Sequence, residues 1–144
     1  MAAIDHALLI ADSPDAVIFA DTEGRIGVWN AAAERIFGFS EAEAMGQSLD
    51  IIVPERFRDA HWKGFDRALG EKATKYAGQT LPTRAQKQDG AQIYVELSFA
   101  IIVVNGESVG ALATARDITE RFDREREQRA KLRAAEEELA KLKG

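Results

Sequence analysis

The first half of the chain alternates short apolar runs with turn residues. Residues 3–11 show an amphipathic pattern that predicts a lead-in helix, and this helix is expected to stop near Pro14 because a proline restricts the residue before it. Residues 16–20 and 25–29 are apolar and rich in β-forming side chains, with a short polar turn between them. This pattern predicts a β-hairpin close to the N-terminus.

Capping residues then mark three short helices. Asn30 is suited to cap a helix over residues 31–37 that a glycine ends. Ser40 and Glu43 have the spacing of a capping box, which predicts the start of a second helix. Residues 54–69 begin with a proline and predict a third helix, ended by the following glycine.

The second half is mostly strand. Residues 75–83 give a weak strand signal, residues 92–104 a long and strong one, and residues 108–115 a third. Asn105 and Gly106 between the last two form a type I′ hairpin signal. Two strands, several short helices and three further strands predict an α+β fold, in which an antiparallel sheet carries helices on one face.

From residue 117 the chain is dense in Glu, Lys, Arg and Ala, which predicts one continuous helix. Ile118, Leu132 and Leu139 share one heptad position, and polar residues interrupt this apolar seam before Leu132. A weak parallel coiled coil fits the pattern, and a solvated helix is the alternative. We divide the chain into a lead-in helix (1–14), a globular domain (15–118) and a C-terminal helix (119–144).

The long strand over residues 92–104 is apolar on both faces. We assign Ile93, Val95, Ile101 and Val103 to the outer face of the sheet, although the opposite parity, which includes Tyr94 and Ile102, is apolar as well. An apolar outer face indicates a partner surface. We therefore expect a parallel homodimer that forms through the lead-in helix, the outer sheet face and the C-terminal helix.

Composition narrows the class of protein. The 144 residues are 46% hydrophobic, carry a net charge of −5 and include no cysteine. The acidic balance argues against nucleic acid as a partner, and the lack of cysteine excludes thiolate chemistry. We find no apolar run long enough to span a membrane and no signal-peptide pattern, so a soluble, cytoplasmic protein is expected.

His61 is the residue with the most specific chemistry. In the predicted third helix it shares one apolar stripe with Phe57, Phe65 and Ala68. An imidazole directed into an apolar interior can ligate a haem iron. The alternative is a core histidine that is hydrogen-bonded to a backbone carbonyl. No catalytic triad or phosphate loop accompanies it, and enzymatic activity is not expected.

Three motifs together resemble the PAS family. These are the run from Ala16 through Asn30 to Gly38-Phe-Ser40, the turn Gln88-Asp-Gly90, and the closing Arg116-Asp-Ile-Thr119. The resemblance covers about residues 8–120. It implies a five-stranded antiparallel sheet with short helices over one face, a ligand pocket between them, and a signal passed on through the helix that follows Thr119.

Within the family, the segment Pro54-Glu-Arg-Phe-Arg-Asp-Ala-His61 is similar to that of the haem-binding FixL-type oxygen sensors. The resemblance implies haem b as cofactor and His61 as its axial metal ligand, with sensing of a diatomic gas or redox state in a two-component system. It places Arg67 near a haem propionate, and Leu97 and Phe99 on the distal side. Phe65, one turn after His61, is expected to contact the cofactor.

The chain departs from this subgroup at two positions. Leu81 stands where the oxygen sensors have an arginine that hydrogen-bonds dioxygen, and Lys75 replaces a histidine near a propionate. Tyr76 is then the candidate donor to a bound gas, with Gln79 as a second.

Two other interpretations of the pocket follow from the same residues. A flavin photoadduct needs a cysteine, which the chain lacks, and non-covalent flavin binding has only Trp29 or Trp62 as stacking partners. The main alternative to haem is a PAS interaction module that binds no ligand or another small molecule.

Overall fold

A computed structural model describes residues 3–74 and 78–143. Five α-helices, five strands and two 3₁₀ turns follow one another in these residues. The helices are α1 (His6–Ala11), α2 (Ala31–Phe37), α3 (Glu41–Ala44), α4 (Arg58–Glu71) and α5 (Thr119–Lys143), and the strands are β1 (Ala16–Asp21), β2 (Ile26–Trp29), β3 (Leu81–Gln86), β4 (Gln92–Val104) and β5 (Glu107–Asp117). The 3₁₀ turns are Leu49–Ile52 and Glu55–Phe57.

The strands form one antiparallel sheet in the order β2-β1-β5-β4-β3. The N-terminal and C-terminal hairpins therefore meet at the β1–β5 pair in the centre, and the short helices connect the two hairpins across one face. The predicted α+β class, with five antiparallel strands and helices on one face, is confirmed.

The predicted helix caps are confirmed by individual hydrogen bonds. The Asn30 side chain accepts from the Ala33 amide at 3.1 Å. Ser40 and Glu43 form a reciprocal capping box at the start of α3. Asn105 takes a positive φ of 51°, as the predicted hairpin turn requires.

Two element boundaries differ from those predicted. The third strand begins at Leu81 rather than at residue 75, and residues 75–77 lie outside the described part of the chain. Its position follows from pairing, because Gln86 must face Gln92 across the turn that joins β3 to β4. Helix α4 extends past the predicted stop to Glu71, where Lys72 caps it in a left-handed conformation.

The assignment of faces on β4 is wrong for three residues. Ile93 and Val95 are 6% and 2% exposed and belong to the core under the helices. Ile101 lines a cavity on that same inner face. Since both parities of β4 are apolar, the pattern alone could not select the inner one. Val103 lies beyond a bulge in the β4–β5 pairing and is 42% exposed.

Asn30 is the one buried polar residue of the described core. Its Oδ1 accepts from the Val17 amide at 2.9 Å in addition to capping α2. Its Nδ2 donates to the carbonyls of Ile10 and Asp15 at 2.9 and 3.0 Å. One side chain thus joins the end of α1, strand β1 and helix α2.

The two terminal helices have few contacts with the rest of the chain. No residue of α1 or α5 is buried, and Leu8 and Leu9 of α1 are each 58% exposed. Only the first turn of α5 is fixed, where Phe122 stacks on Tyr94 of β4 at 3.9 Å between ring centroids. Across residues 3–74 and 78–143, no helix has both the length and the apolar character of a membrane span.

Candidate functional site

Two cavities lie between α4 and the inner face of the sheet, with volumes of about 270 and 590 Å³. The larger one falls within the usual size range of small-molecule pockets. The cavities share six wall residues, which are Ile18, Leu49, Ala60, His61, Leu97 and Ala113. Five of these six are apolar, so His61 is the polar residue that both cavities have in common.

The imidazole of His61 has no hydrogen-bond partner among the described residues. Its Nδ1 is buried, and its ring packs edge-on to Trp62 at 4.7 Å and tilted against Phe65 at 6.1 Å. The expected alternative for this residue, a core histidine bonded to a backbone carbonyl, is therefore not the arrangement found. A buried polar atom without a partner is costly and needs an explanation.

Burial lowers the pKa of His61, and the negative charge of Asp50 opposes this shift to a smaller extent. Burial has this effect because a low-dielectric surrounding disfavours the charged imidazolium. The side chain is consequently neutral near pH 7, and a neutral imidazole is the form that binds a metal.

Helix α4 is held in place by bonds to the 3₁₀ turn Leu49–Ile52. Trp62 donates from Nε1 to Asp50 at 2.7 Å, and Arg58 donates to the carbonyls of Val53 and Asp50 at 3.1 and 3.2 Å. The Trp62 ring also covers Gly24 so closely that a Cβ there would overlap it. Trp62 thus packs on the β1–β2 turn, and it fixes the orientation of the helix that carries His61.

Five of the seven residues predicted to bind a cofactor line the first cavity, and these are His61, Phe65, Arg67, Leu97 and Phe99. Leu81 pairs with Leu97 across β3 and β4 and so shares its face, but Leu81 is not a wall residue of either cavity. Tyr76 and Lys75 lie outside the described residues. Phe57, expected on the His61 stripe, lies in the 3₁₀ turn before α4 and lines only the second cavity.

Sequence reasoning missed most of the small residues that shape the cavity, although Ala68 was expected on the stripe of His61. Ala111 and Ala113 of β5 form its floor, and Ala60, Gly64 and Ala68 form its wall along α4. The signal was present as alternating alanines in β5 and as small residues at intervals of four in α4. Such residues carry no chemistry of their own, so a search for reactive side chains passes over them.

Charged groups are confined to one edge of the first cavity. Arg67 and Glu71 of α4 contribute to its lining and are otherwise exposed. Within the described part of the chain, Arg67 forms no ion pair. The cavity therefore has apolar walls and one central imidazole, with the cation of Arg67 and the carboxylate of Glu71 at its edge. The same residues include no cluster of three side chains that could hold a bare metal ion.

A family model for the PAS fold matches residues 4–118 of this chain. Among curated proteins, the sensor protein FixL of Bradyrhizobium diazoefficiens is 34% identical over 107 residues, which are 74% of this chain and 21% of that protein. The oxygen sensor protein DosP of Escherichia coli is 26% identical over 89 residues, or 62% of this chain and 11% of that protein. The chain thus spans only a small part of these relatives.

Solved structures give the same fold. The crystal structure of a PAS domain from Colwellia psychrerythraea has a TM-score of 0.70 and 26% identity, and the match covers 80% of this chain and 95% of that one. An RNA-binding light-oxygen-voltage receptor has a TM-score of 0.67 at 23% identity, with 88% of this chain and 36% of that chain covered. The sheet order, the family match and these similarities agree, and the chain belongs to the PAS family.

Proposed function

We propose that this PAS domain is a sensor that binds haem b in the cavity under α4, with His61 as the axial ligand, and responds to a diatomic gas or to redox state. The observation that carries this proposal is the His61 imidazole, which is neutral and without a hydrogen-bond partner among the described residues, at the junction of two apolar cavities. A neutral imidazole in such a position can bind a metal ion through a ring nitrogen.

The residues around His61 fit a haem. Leu97 and Phe99 of the sheet and Phe65 of α4 supply apolar surface for a macrocycle. Arg67, without an ion pair among the described residues, is available for a propionate. Haem, when bound, supplies an iron that takes an axial imidazole and leaves a position for a gas. The similarity to FixL and to the oxygen sensor DosP supports the same function.

Titration of the purified chain with haemin tests the proposal. We expect an absorption band characteristic of protein-bound haem that saturates at one haem per chain. A chain that leaves added haemin with the spectrum of the free compound would contradict the proposal. Bound flavin, recognised by its own two absorption bands, would identify a different cofactor.

The alternative function is a PAS interaction module that binds no ligand or another small molecule. Exposed apolar side chains on the terminal helices favour a role in association, among them Leu8 and Leu9 of α1 and Leu132 and Leu139 of α5. Association does not conflict with haem binding, because these residues lie outside the cavity walls. We therefore propose that the haem-binding form is a homodimer. A chain that stays colourless after addition of haemin would instead favour the ligand-free module.

A route from the cavity to α5 runs through β4. Val95 lines the second cavity. The adjacent Tyr94 stacks on Phe122, and its amide donates to the Thr119 hydroxyl at 3.0 Å. Movement of β4 on ligand binding would therefore be transmitted to the first turn of α5. We propose that residues 15–118 form the sensor and that residues 1–14 and 119–144 associate in the dimer. We also propose that the domain acts in a two-component system.

The haem form is expected to bind carbon monoxide well and dioxygen poorly or with rapid autoxidation. Leu97 and Phe99 offer no hydrogen-bond donor, and polar bound dioxygen gains more from a donor than carbon monoxide does. Spectra recorded in air and under carbon monoxide test this. Leu81→Arg, a change on β3 opposite Leu97 of β4, should strengthen oxygen binding and slow autoxidation severalfold. An oxygen complex of the unaltered chain that lasts for hours in air would contradict this expectation.

The chain is expected to form a parallel homodimer through α1, the outer face of the sheet and α5. Light scattering at micromolar concentration should give twice the mass of one chain. Deletion of the residues after Thr119 should weaken the dimer and leave haem uptake unchanged, because α5 has no residue in the cavity wall. A monomer throughout the micromolar range would contradict this assembly.

A further inference from the structure

Ser108 connects the start of β5 to the last turn of α4. Its hydroxyl donates to the main-chain carbonyl of Leu69 at 2.7 Å, an ordinary length for a hydrogen bond between two oxygen atoms. Carbonyls in the last turn of a helix lack the amide partner that the next turn would supply. The Leu69 oxygen also accepts from the Lys72 amide, but at 3.3 Å. The serine hydroxyl is thus the closer of its two donors.

A β-bulge between β4 and β5 gives Ser108 its direction. Successive residues of a strand point to opposite faces, and in β5 the odd-numbered Ala111 and Ala113 line the cavity under α4. Uninterrupted alternation would therefore direct Ser108 to the outer face. The register shifts just before Val103, which pairs with Ser108, and Val109 is left as the extra residue. The bulge reverses the alternation and turns the hydroxyl towards α4.

The two ends of α4 are held unequally. Arg58 and Trp62 in its N-terminal half donate three hydrogen bonds to residues 50–53. Among the described residues, and apart from the helix's own C-cap, the bond from β5 is the one hydrogen bond between residues 65–71 and another element. Within this half only Ala68 is buried. The C-terminal half of α4 therefore has the weaker attachment to the rest of the domain.

This half of α4 also forms the edge of the first cavity. Arg67, Ala68 and Glu71 line the cavity there, and strand residues such as Ile101 form the opposite side. Arg67 and Glu71 are exposed, so this edge faces solvent. Movement of the helix end away from the sheet would widen the cavity at this edge and leave the bonds at the other end of α4 intact. Ser108 lines neither cavity, so it can act on a ligand only through α4.

We propose that Ser108 is a positioning residue that holds the C-terminal half of α4 against the sheet and thereby limits the rate at which ligands enter and leave the first cavity. The N-terminal half of α4 stays in place, and the bond to Leu69 breaks when the other end opens. This inference goes beyond the proposed haem function, because any ligand that passes this edge meets the same barrier.

Loss of the hydroxyl should change rates and leave affinity unchanged. A hydrogen bond of this kind favours the closed form by a factor of about five. Because a ligand enters and leaves through the open form, both rate constants should rise by that factor when the bond is lost. Their ratio is the dissociation constant, and it stays the same as long as the closed form predominates. A residue that touched the ligand would change the affinity as well.

Ser108→Ala removes the hydroxyl, and Ser98→Ala is its matched control. The Ser98 hydroxyl is also half-buried and shares a hydrogen bond with that of Thr114 at 3.0 Å, but both partners lie in the sheet. Ser108→Thr keeps a hydroxyl, and Ser108→Val has nearly the same shape without one. This pair gives the result if Ser108→Ala does not fold. Thermal unfolding of the ligand-free variants shows which of them are folded.

Hydrogen–deuterium exchange of the ligand-free chain, followed by NMR, measures the opening of α4. In Ser108→Ala and Ser108→Val, we expect the amides of residues 65–71 to exchange about fivefold faster, while those of residues 62–64 are unchanged. Ser98→Ala and Ser108→Thr should match the unaltered chain. Equal acceleration along the whole of α4, or no acceleration, would overturn the proposal.

Stopped-flow fluorescence measures ligand exchange, with 8-anilino-1-naphthalenesulfonate as the probe. We expect Ser108→Ala to raise its association and dissociation rate constants about fivefold each, with the dissociation constant unchanged within about twofold. Unchanged rate constants would overturn the proposal, as would a chain that does not bind the probe. A chain that takes up no haemin but shows the expected changes would contradict the haem proposal and support the role of Ser108.

Discussion

His61→Ala is expected to give a folded protein that no longer retains haem. The substitution removes the only histidine among the described wall residues, so haemin affinity should fall by more than roughly a hundredfold. Stability should change by only about 1–2 kcal/mol, because the ring is half-buried and no described group loses a hydrogen bond with it. Haemin titration and urea unfolding measure the two effects.

His6→Ala is the matched control for this substitution. His6 is the second histidine of the chain and is exposed at the start of α1, far in sequence from the cavity walls. It should leave both haemin affinity and stability unchanged. If His61→Ala holds a normal amount of haem with an unchanged spectrum, His61 is not the ligand.

Asn30→Ala is expected to cause the largest loss of stability, about 3 kcal/mol or more. The substitution leaves the amides of Val17 and Ala33 and the carbonyls of Ile10 and Asp15 without their buried partner. A buried hydrogen-bonding group left unsatisfied costs about 1–3 kcal/mol, and an N-cap contributes about 1 kcal/mol. In urea unfolding, we expect the loss of stability to appear as a lower midpoint concentration of urea. The dependence of the unfolding free energy on urea concentration should stay unchanged.

Asn30→Ser separates the stability that comes from capping α2 from the stability that comes from the bonds of the Asn30 amide group to Ile10 and Asp15. Serine is as suited to an N-cap as asparagine, but it lacks the amide that donates to Ile10 and Asp15. It should be intermediate in stability and should free the end of α1, which would weaken the dimer as well. A change of less than about 0.5 kcal/mol for Asn30→Ala would mean that the buried bonds of this residue are replaced by others.

The sequence was most informative where local chemistry determines structure. The cap at Asn30, the capping box of Ser40 and Glu43 and the turn at Asn105 depend only on residues close in the chain, and all are confirmed. The location of β3 and the inner face of β4 depend on pairing between strands. Ile93 and Ile102 are equally apolar, so only the tertiary structure could show which of the two parities packs under the helices.

The sequence predicted part of the candidate site, as it predicted part of the fold. His61 could be singled out because it is one of two histidines and lies on an apolar helical stripe. The resemblance to gas sensors identified Arg67, Leu97 and Phe99, and the structure brings all three to one cavity. Among the described residues His61 lacks a hydrogen bond, which is an absence of contact. Such an absence has no signature in the sequence and became visible only in three dimensions.

The most direct test of the account is the iron–histidine stretching vibration of the reduced haem complex, measured by resonance Raman spectroscopy. In a His6→Ala chain grown with ¹⁵N-labelled histidine, His61 is the only labelled residue. If His61 binds the iron, the iron–histidine band moves to lower frequency with the label and is missing in His61→Ala. A haem complex whose band is unaffected by the label, or a chain that forms no haem complex, would contradict it.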